Sequence, residues 1–225
     1  VERRVTRSRT FKTPPHSLWR ALCETPLLQR IERLRLCAMH DDFLAELQRH
    51  GTTPGALCGL DISAIPFAHR RIASELFDAP YFAGLEVLVC NGQQLLSYLR
   101  SSARGVRHLT LTERALDYIV DVLDDGRFAA KFNERLETLS FYDYPYGRGW
   151  KHLFASHYEG EIEELLLGVG FSHHTLELRK EPEVERMLQH APFLKSVRTL
   201  KLGDMIDVID VEALTRSQPH LEVKR

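Results

Sequence analysis

Along this chain one short pattern of apolar positions returns again and again, written apolar-x-x-apolar-x-apolar. It stands at Ile31/Leu34/Leu36, Leu57/Leu60/Ile62, Leu85/Leu88/Cys90, Val106/Leu109/Leu111, Leu136/Leu139/Phe141, Ile162/Leu165/Leu167 and Val197/Leu200/Leu202. Successive copies start 26, 28, 21, 30, 26 and 35 residues apart. A second signature holds the phase: Pro26-Leu27-Leu28, Pro80-Tyr81-Phe82 and Pro192-Phe193-Leu194 each precede a copy by five residues. The last x-apolar-x-apolar of each copy alternates with period two, which predicts a short strand with one face buried. Between copies the period changes. Phe43/Leu44/Leu47, Ile72/Leu76/Phe77, Leu95/Leu96/Leu99, Leu116/Ile119/Val120/Leu123, Trp150/Leu153/Phe154 and Val184/Met187/Leu188 fall at helical spacing with charged neighbours, predicting amphipathic helices. A unit of strand, loop and helix this small cannot bury its apolar faces alone, so the units must stack.

The Leu-x-x-Leu-x-Leu core, cleanest in Ile31-Glu-Arg-Leu-Arg-Leu36 and Val197-Arg-Thr-Leu-Lys-Leu202, resembles the leucine-rich repeat family. A period near 28 with a helix in every unit resembles its ribonuclease-inhibitor-like subclass, and the degenerate copies resemble repeat segments of large bacterial proteins. The resemblance implies an α/β fold: a right-handed, horseshoe-shaped solenoid of about 7–9 strand-helix units with a parallel sheet on its concave face. It covers residues 26–225, with residues 1–25 as an N-terminal cap or degenerate first repeat in which Trp19 covers the first core face. It also implies no cofactor and no catalysis. The family's Asn or Cys three places after the last motif leucine is here Met39, Ile65, Gln93, Arg114, Tyr144, Gly170 and Met205, so no asparagine ladder is expected. Leu221-Glu-Val223 has the beginnings of another strand, and the long interval after Ile162 leaves room for an irregular one at Leu176-Glu-Leu178.

If the motif residues point inward, the alternating positions face the other way. In order these are Arg33/Arg35, Gly59/Asp61/Ser63, Val87/Val89/Asn91, His108/Thr110/Thr112, Thr138/Ser140/Tyr142, Glu164/Leu166 and Thr199/Lys201. Such a chemically mixed surface suits a protein or peptide better than a uniform polyanion. After the fifth strand, Phe141-Tyr-Asp-Tyr-Pro-Tyr-Gly-Arg-Gly-Trp150 carries the residue types of binding hot spots. The residues assigned to partner binding are Arg33, Arg35, Asp61, Asn91, His108, Thr110, Tyr142, Tyr144, Tyr146, Arg148, Glu164 and Lys201.

Composition narrows the partner. Lys+Arg 30 against Asp+Glu 31 leaves a net charge of −1, far from the basic footprint of a phosphate binder. The one basic stretch, Arg3, Arg4, Arg7, Arg9 and Lys12, reads as a solvated cap or linker, and nucleic-acid binding through it is the less favoured alternative. No stretch approaches the length of an apolar membrane span and no signal-peptide core opens the chain, so neither membrane nor export is indicated. Cys23, Cys37, Cys58 and Cys90 are irregularly spaced and form no Cys-x-x-Cys pair, which fits reduced thiols in a cytoplasmic compartment.

Catalytic motifs are missing. Gly51-Thr-Thr-Pro-Gly55 lacks the lysine of a phosphate loop, and no Gly-x-Gly-x-x-Gly, His-Glu-x-x-His or Gly-x-Ser-x-Gly occurs. His173-His174 reads as a loop pair, since adjacent side chains diverge, and Cys37-Ala-Met-His40 offers too few ligands for a tetrahedral metal. Asp41-Asp42 and Asp124-Asp125 sit where helix capping explains them, while Glu163-Glu164 leaves a carboxylate pair for acid/base work open. The expectation is therefore a non-enzymatic recognition or scaffolding module for a protein partner, one region of a larger chain, with no metal, cofactor or small-molecule ligand. An enzyme or enzyme regulator on an irregular α/β framework, with His108, His173 or His174 near carboxylates, is the alternative from another class.

Overall fold

The computed structural model describes residues 24–36, 55–65, 74–112, 127–132, 136–142, 148–158, 160–167, 182–207 and 209–224, with Ala21 and Leu47. Each motif copy forms a strand: β1 (Arg33–Arg35), β2 (Gly59–Asp61), β3 (Val87–Asn91), β4 (His108–Thr112), β5 (Leu136–Phe141), β6 (Ile162–Leu166) and β7 (Val197–Lys201). An eighth, β8 (Glu222–Lys224), realises the strand foreshadowed at Leu221-Glu-Val223. All pair in parallel in chain order, β1 through β8, in one open sheet. β6 pairs directly with β7, and the strand considered at 176–178 lies outside the described residues.

The register explains why the uneven spacing does no harm. Leu34, Leu60, Leu88, Leu109, Leu139, Leu165, Leu200 and Val223 stand opposite one another in a single row across the sheet. Leu60 is 2% exposed and the five leucines from Leu88 to Leu200 are 0% exposed, while Leu34 and Val223 at the sheet edges are only partly buried. The first and last motif positions behave alike: Leu57, Leu85, Leu136, Ile162 and Val197 are buried, as are Leu36, Ile62, Cys90, Leu111, Phe141, Leu167 and Leu202. Length differences between units are thus absorbed in the connections, because a slip of one residue would turn a whole strand's leucines outward.

Those connections hold six short helices among the described residues: α1 (Ser74–Phe77), α2 (Gly92–Arg100), α3 (Arg127–Lys131), α4 (Arg148–Ala155), α5 (Pro182–Gln189) and α6 (Val211–Ser217). α2 begins where the strand ends. The Asn91 side chain accepts from the Gln93 and Gln94 backbone N–H groups, and the Gln94 side chain accepts from the Asn91 N–H, so the first-turn donors are satisfied reciprocally. The Pro-led signatures form or lead into 3-10 turns at Leu28–Arg30, Pro80–Phe82 and Pro192–Ser196, burying Leu28, Tyr81/Phe82 and Phe193/Leu194 just before β1, β3 and β7. Before β4 the chain bends at Gly105, whose φ of 110° suits glycine and whose absent Cβ would sit 3.3 Å from the Leu85 carbonyl oxygen.

The helices foreseen at Ile72/Leu76/Phe77, Leu95/Leu96/Leu99, Trp150/Leu153/Phe154 and Val184/Met187/Leu188 correspond to α1, α2, α4 and α5. Those foreseen at 43–47 and 116–123 fall almost wholly outside the described residues, and α3 was not anticipated. On the helix side, aromatic rings connect successive units: Phe77 to Tyr98 (5.4 Å between centroids), Tyr98 to Phe132 (5.9 Å), Phe132 to Phe128 (5.0 Å), Phe128 to Tyr158 (5.9 Å) and Tyr158 to Phe193 (5.9 Å). Within this spine Lys131 is buried. Its Nζ donates to the Ser101 carbonyl at 2.7 Å and Oγ at 3.2 Å and lies 4.3 Å over the Tyr98 ring, tying α3 to the end of α2. Burial holds the Lys131 ammonium down at a pKa of about 8.

Candidate interaction face

The side of the sheet away from the leucine row carries two rows of outward residues. One runs Arg33, Gly59, Val87, His108, Thr138, Glu164, Thr199, Glu222; the other runs Arg35, Asp61, Val89, Thr110, Ser140, Leu166, Lys201, Lys224. The parallel ladder brings residues from eight separate stretches of sequence onto one surface. Arg33, Arg35, Asp61, His108, Thr110, Glu164 and Lys201 from the predicted set all stand on it. Tyr142 follows β5 directly, its N–H donating to the Leu111 carbonyl, and its side chain is 45% exposed.

Asn91 is a correction. It is only 2% exposed and serves as the N-cap of α2, so it belongs to the fold and leaves the set of partner-contacting residues. Alternation places 87, 89 and 91 on one face, and Asn91 is still the extended last residue of β3, but its side chain is taken up by the first-turn N–H groups of α2. Tyr144 and Tyr146 lie outside the described residues, and Arg148 opens α4 with its side chain likewise outside them. So do the Arg3–Lys12 stretch, His173-His174, Cys37 with His40, and the two aspartate pairs.

Several charges of the face meet an opposite charge within it, while Arg33 at the β1 edge is exposed. Arg35 Nε lies 3.1 Å from Asp61 Oδ2, and Asp61 also accepts from the Ser63 hydroxyl at 2.7 Å. Glu164 and Lys201 meet at 2.7 Å across β6 and β7. At the strand beginnings Arg107 is 3.3 Å from Glu137 and Arg198 is 2.9 Å from Glu163, while Lys224 and Glu222 meet at 2.9 Å on β8. The adjacent pair Glu163/Glu164 therefore does not form a carboxylate couple, since each acid takes its own cation on β7. Lys224 and the Thr199 hydroxyl hold the Glu222 carboxyl below its ordinary range.

His108 is the centre of a polar cluster that sequence reasoning missed as a cluster. Its Nδ1 is 3.0 Å from Thr138 Oγ1 and its Nε2 3.4 Å from Glu137 Oε2. A hydroxyl, an imidazole and a carboxylate in line have the composition of a nucleophile, base and orienting acid. The Glu137 and Thr138 N–H groups both donate to the Arg107 carbonyl, and the imidazole stands on the open sheet with 37% of its side chain exposed. The signal for this contact was the 30-residue offset between the Val106 and Leu136 copies, which sets 107 and 108 beside 137 and 138.

A separate cavity of about 650 Å³ opens at the starts of β6 and β7, between Tyr158, Gly160 and Glu161 on one side and Lys195, Ser196 and His220 on the other. The Arg198–Glu163 pair stands in its lining, and His220 Nε2 is 2.8 Å from the Leu194 carbonyl oxygen. Among the described residues no group of three or more His, Cys, Asp or Glu side chains is placed to hold a metal ion, and no helix is long and apolar enough to cross a membrane. Cys90 is wholly buried in the core, where burial pushes its thiol pKa well above the ordinary value. Compared with protein-family models, curated proteins and solved structures, the chain matches none.

Proposed function

We propose that this chain is a non-enzymatic recognition or scaffolding module: a leucine-rich-repeat-like solenoid whose concave sheet face, with the segment that begins at Tyr142, binds a protein partner. The observation that carries the reading is the pair of outward rows. Eight strands held in one register turn side chains away from the leucine row, most of them half-buried or exposed and Ser140 and Thr199 buried, which supports an extended surface. The parallel order β1 to β8, the helices in the connections and the buried leucine row support a right-handed horseshoe. Mixed charge, hydroxyls and an exposed tyrosine fit a folded protein or peptide.

The test is capture from native lysate by this chain and by a variant carrying Val89→Asp and Tyr142→Ala, both shown by circular dichroism to be equally folded. The reading expects a protein retained by the first and lost by the second. Equal retention would refute binding through the face. A second reading, an enzyme, has the His108–Thr138–Glu137 cluster in its favour; it requires turnover abolished by His108→Ala, whereas the recognition reading expects the cluster to act only as surface.

A further inference from the structure

Resting on the recognition reading, we infer that the face takes an uncharged segment of a protein partner, which sets an aliphatic or aromatic side chain on the strip between Val89 and Tyr142. The inference comes from where the charges are already used. Asp61, Glu137, Glu163, Glu164 and Glu222 each have a cation of this same chain within 3.3 Å, so a charged partner at these positions would have to displace a pair formed within the sheet, and the exposed Arg33 stands at the β1 edge, off the strip. Between those pairs lies a strip with no charge. Val87 and Val89 on β3, Thr110 on β4, Tyr142 after β5 and Leu166 on β6 occupy it, half-buried or exposed on the outward side, with Ser140 buried between them.

Its dimensions follow from the ladder. Parallel strands stand about 4.8 Å apart, so the strip from β3 to β6 is about 14 Å wide, and outward residues two apart along a strand are separated by about 7 Å. That is the footprint of one or two large side chains with their backbone. Tyr142 is one of only two large apolar residues exposed among the described residues, the other being Leu27, which lies before β1 and off this strip. The Arg35–Asp61 pair on one flank and the Glu164–Lys201 pair on the other supply a polar rim around an apolar centre, the arrangement in which a buried ring contributes most.

The experiment selects displayed random dodecapeptides against the full chain and measures the enriched peptides by fluorescence anisotropy, with the wild type, Val89→Asp and Tyr142→Ala, the variants being checked for unchanged melting. The inference expects enriched peptides near zero net charge that carry an aliphatic or aromatic residue. Their Kd should change by less than about twofold between about 50 and about 500 mM NaCl and rise about tenfold or more on Val89→Asp. Enrichment of charged peptides whose binding weakens with salt, yet still depends on Val89 and Tyr142, would overturn the inference and leave the recognition face standing. Neutral peptides indifferent to both substitutions would instead overturn the face itself. No enrichment over an unrelated protein would overturn the inference.

Discussion

Leu139→Ala is the perturbation that probes the leucine row most sharply. Leu139 is 0% exposed and lies at the middle of the leucine row, between Leu109 on β4 and Leu165 on β6. Truncation removes three side-chain carbons from a site closed on every side by its own and neighbouring units, so both the transfer loss and the residual cavity apply, for about 3–4 kcal/mol of the ~2–5 kcal/mol range of such changes. Leu34→Ala is the control. Leu34 holds the same motif position on β1, but it is only partly buried at the sheet edge, which puts its cost at about 1 kcal/mol. Against a total stability of about 5–15 kcal/mol the first change is large and the second modest. Urea unfolding followed by circular dichroism reads both, with the slope of stability against urea compared as well, since a reduced slope would mean that the units no longer unfold together. Equal costs for Leu139→Ala and Leu34→Ala, or a cost under about 1 kcal/mol for Leu139→Ala, would refute a continuous core built from the motif row.

Three further outcomes follow from the same geometry. Burial holds Lys131 at a pKa of about 8 against 10.5, so the unfolded chain binds the proton more tightly and stability rises with pH between those values; Tyr98 and Tyr158, pushed by burial to about 12 from 10.0, make it fall again above pH 10. The urea midpoint measured from pH 7 to 11 should pass through a maximum, and Lys131→Met should flatten the rising limb; a rise undiminished in that variant would contradict the assignment. Asn91→Ala removes the side-chain acceptor of the Gln93 and Gln94 N–H groups at the α2 cap and should cost about 1–2 kcal/mol in thermal or urea unfolding, while leaving peptide binding to the face unchanged. Gly105→Ala forces an L side chain to φ 110° against the Leu85 carbonyl and should cost about 1–2 kcal/mol, where a neutral result would contradict the backbone geometry before β4.

The strands were legible because three apolar positions at fixed spacing, repeated, leave one way to bury them; even the short edge strand β8 was visible in Leu221-Glu-Val223. The Pro-led phase markers were legible for a similar reason, since a ring-fixed φ suits the tight turns that deliver Tyr81/Phe82 and Phe193/Leu194 to the core. α3 was missed although Phe128 and Phe132 stand four apart, because the apolar spacing at 116–123 is longer and drew the assignment. Asn91 was misplaced because it is at once the last residue of β3 and the N-cap of α2, and alternation registers only the first role, although Asn91 with Gln94 three residues on is itself a capping signature. The outward residues of the face could be named one by one from alternation. Their pairing could not, since Arg107 meets Glu137 and Glu164 meets Lys201 only through the register of neighbouring strands.

The most direct test of recognition through the sheet face is site-specific photocrosslinking in native lysate, with the crosslinker placed in turn at Thr110 on the face and at Arg100, exposed at the end of α2. The account predicts one crosslinked protein from Thr110, absent from Arg100 and abolished by Tyr142→Ala. The same protein crosslinked from Arg100 and not from Thr110 would contradict it.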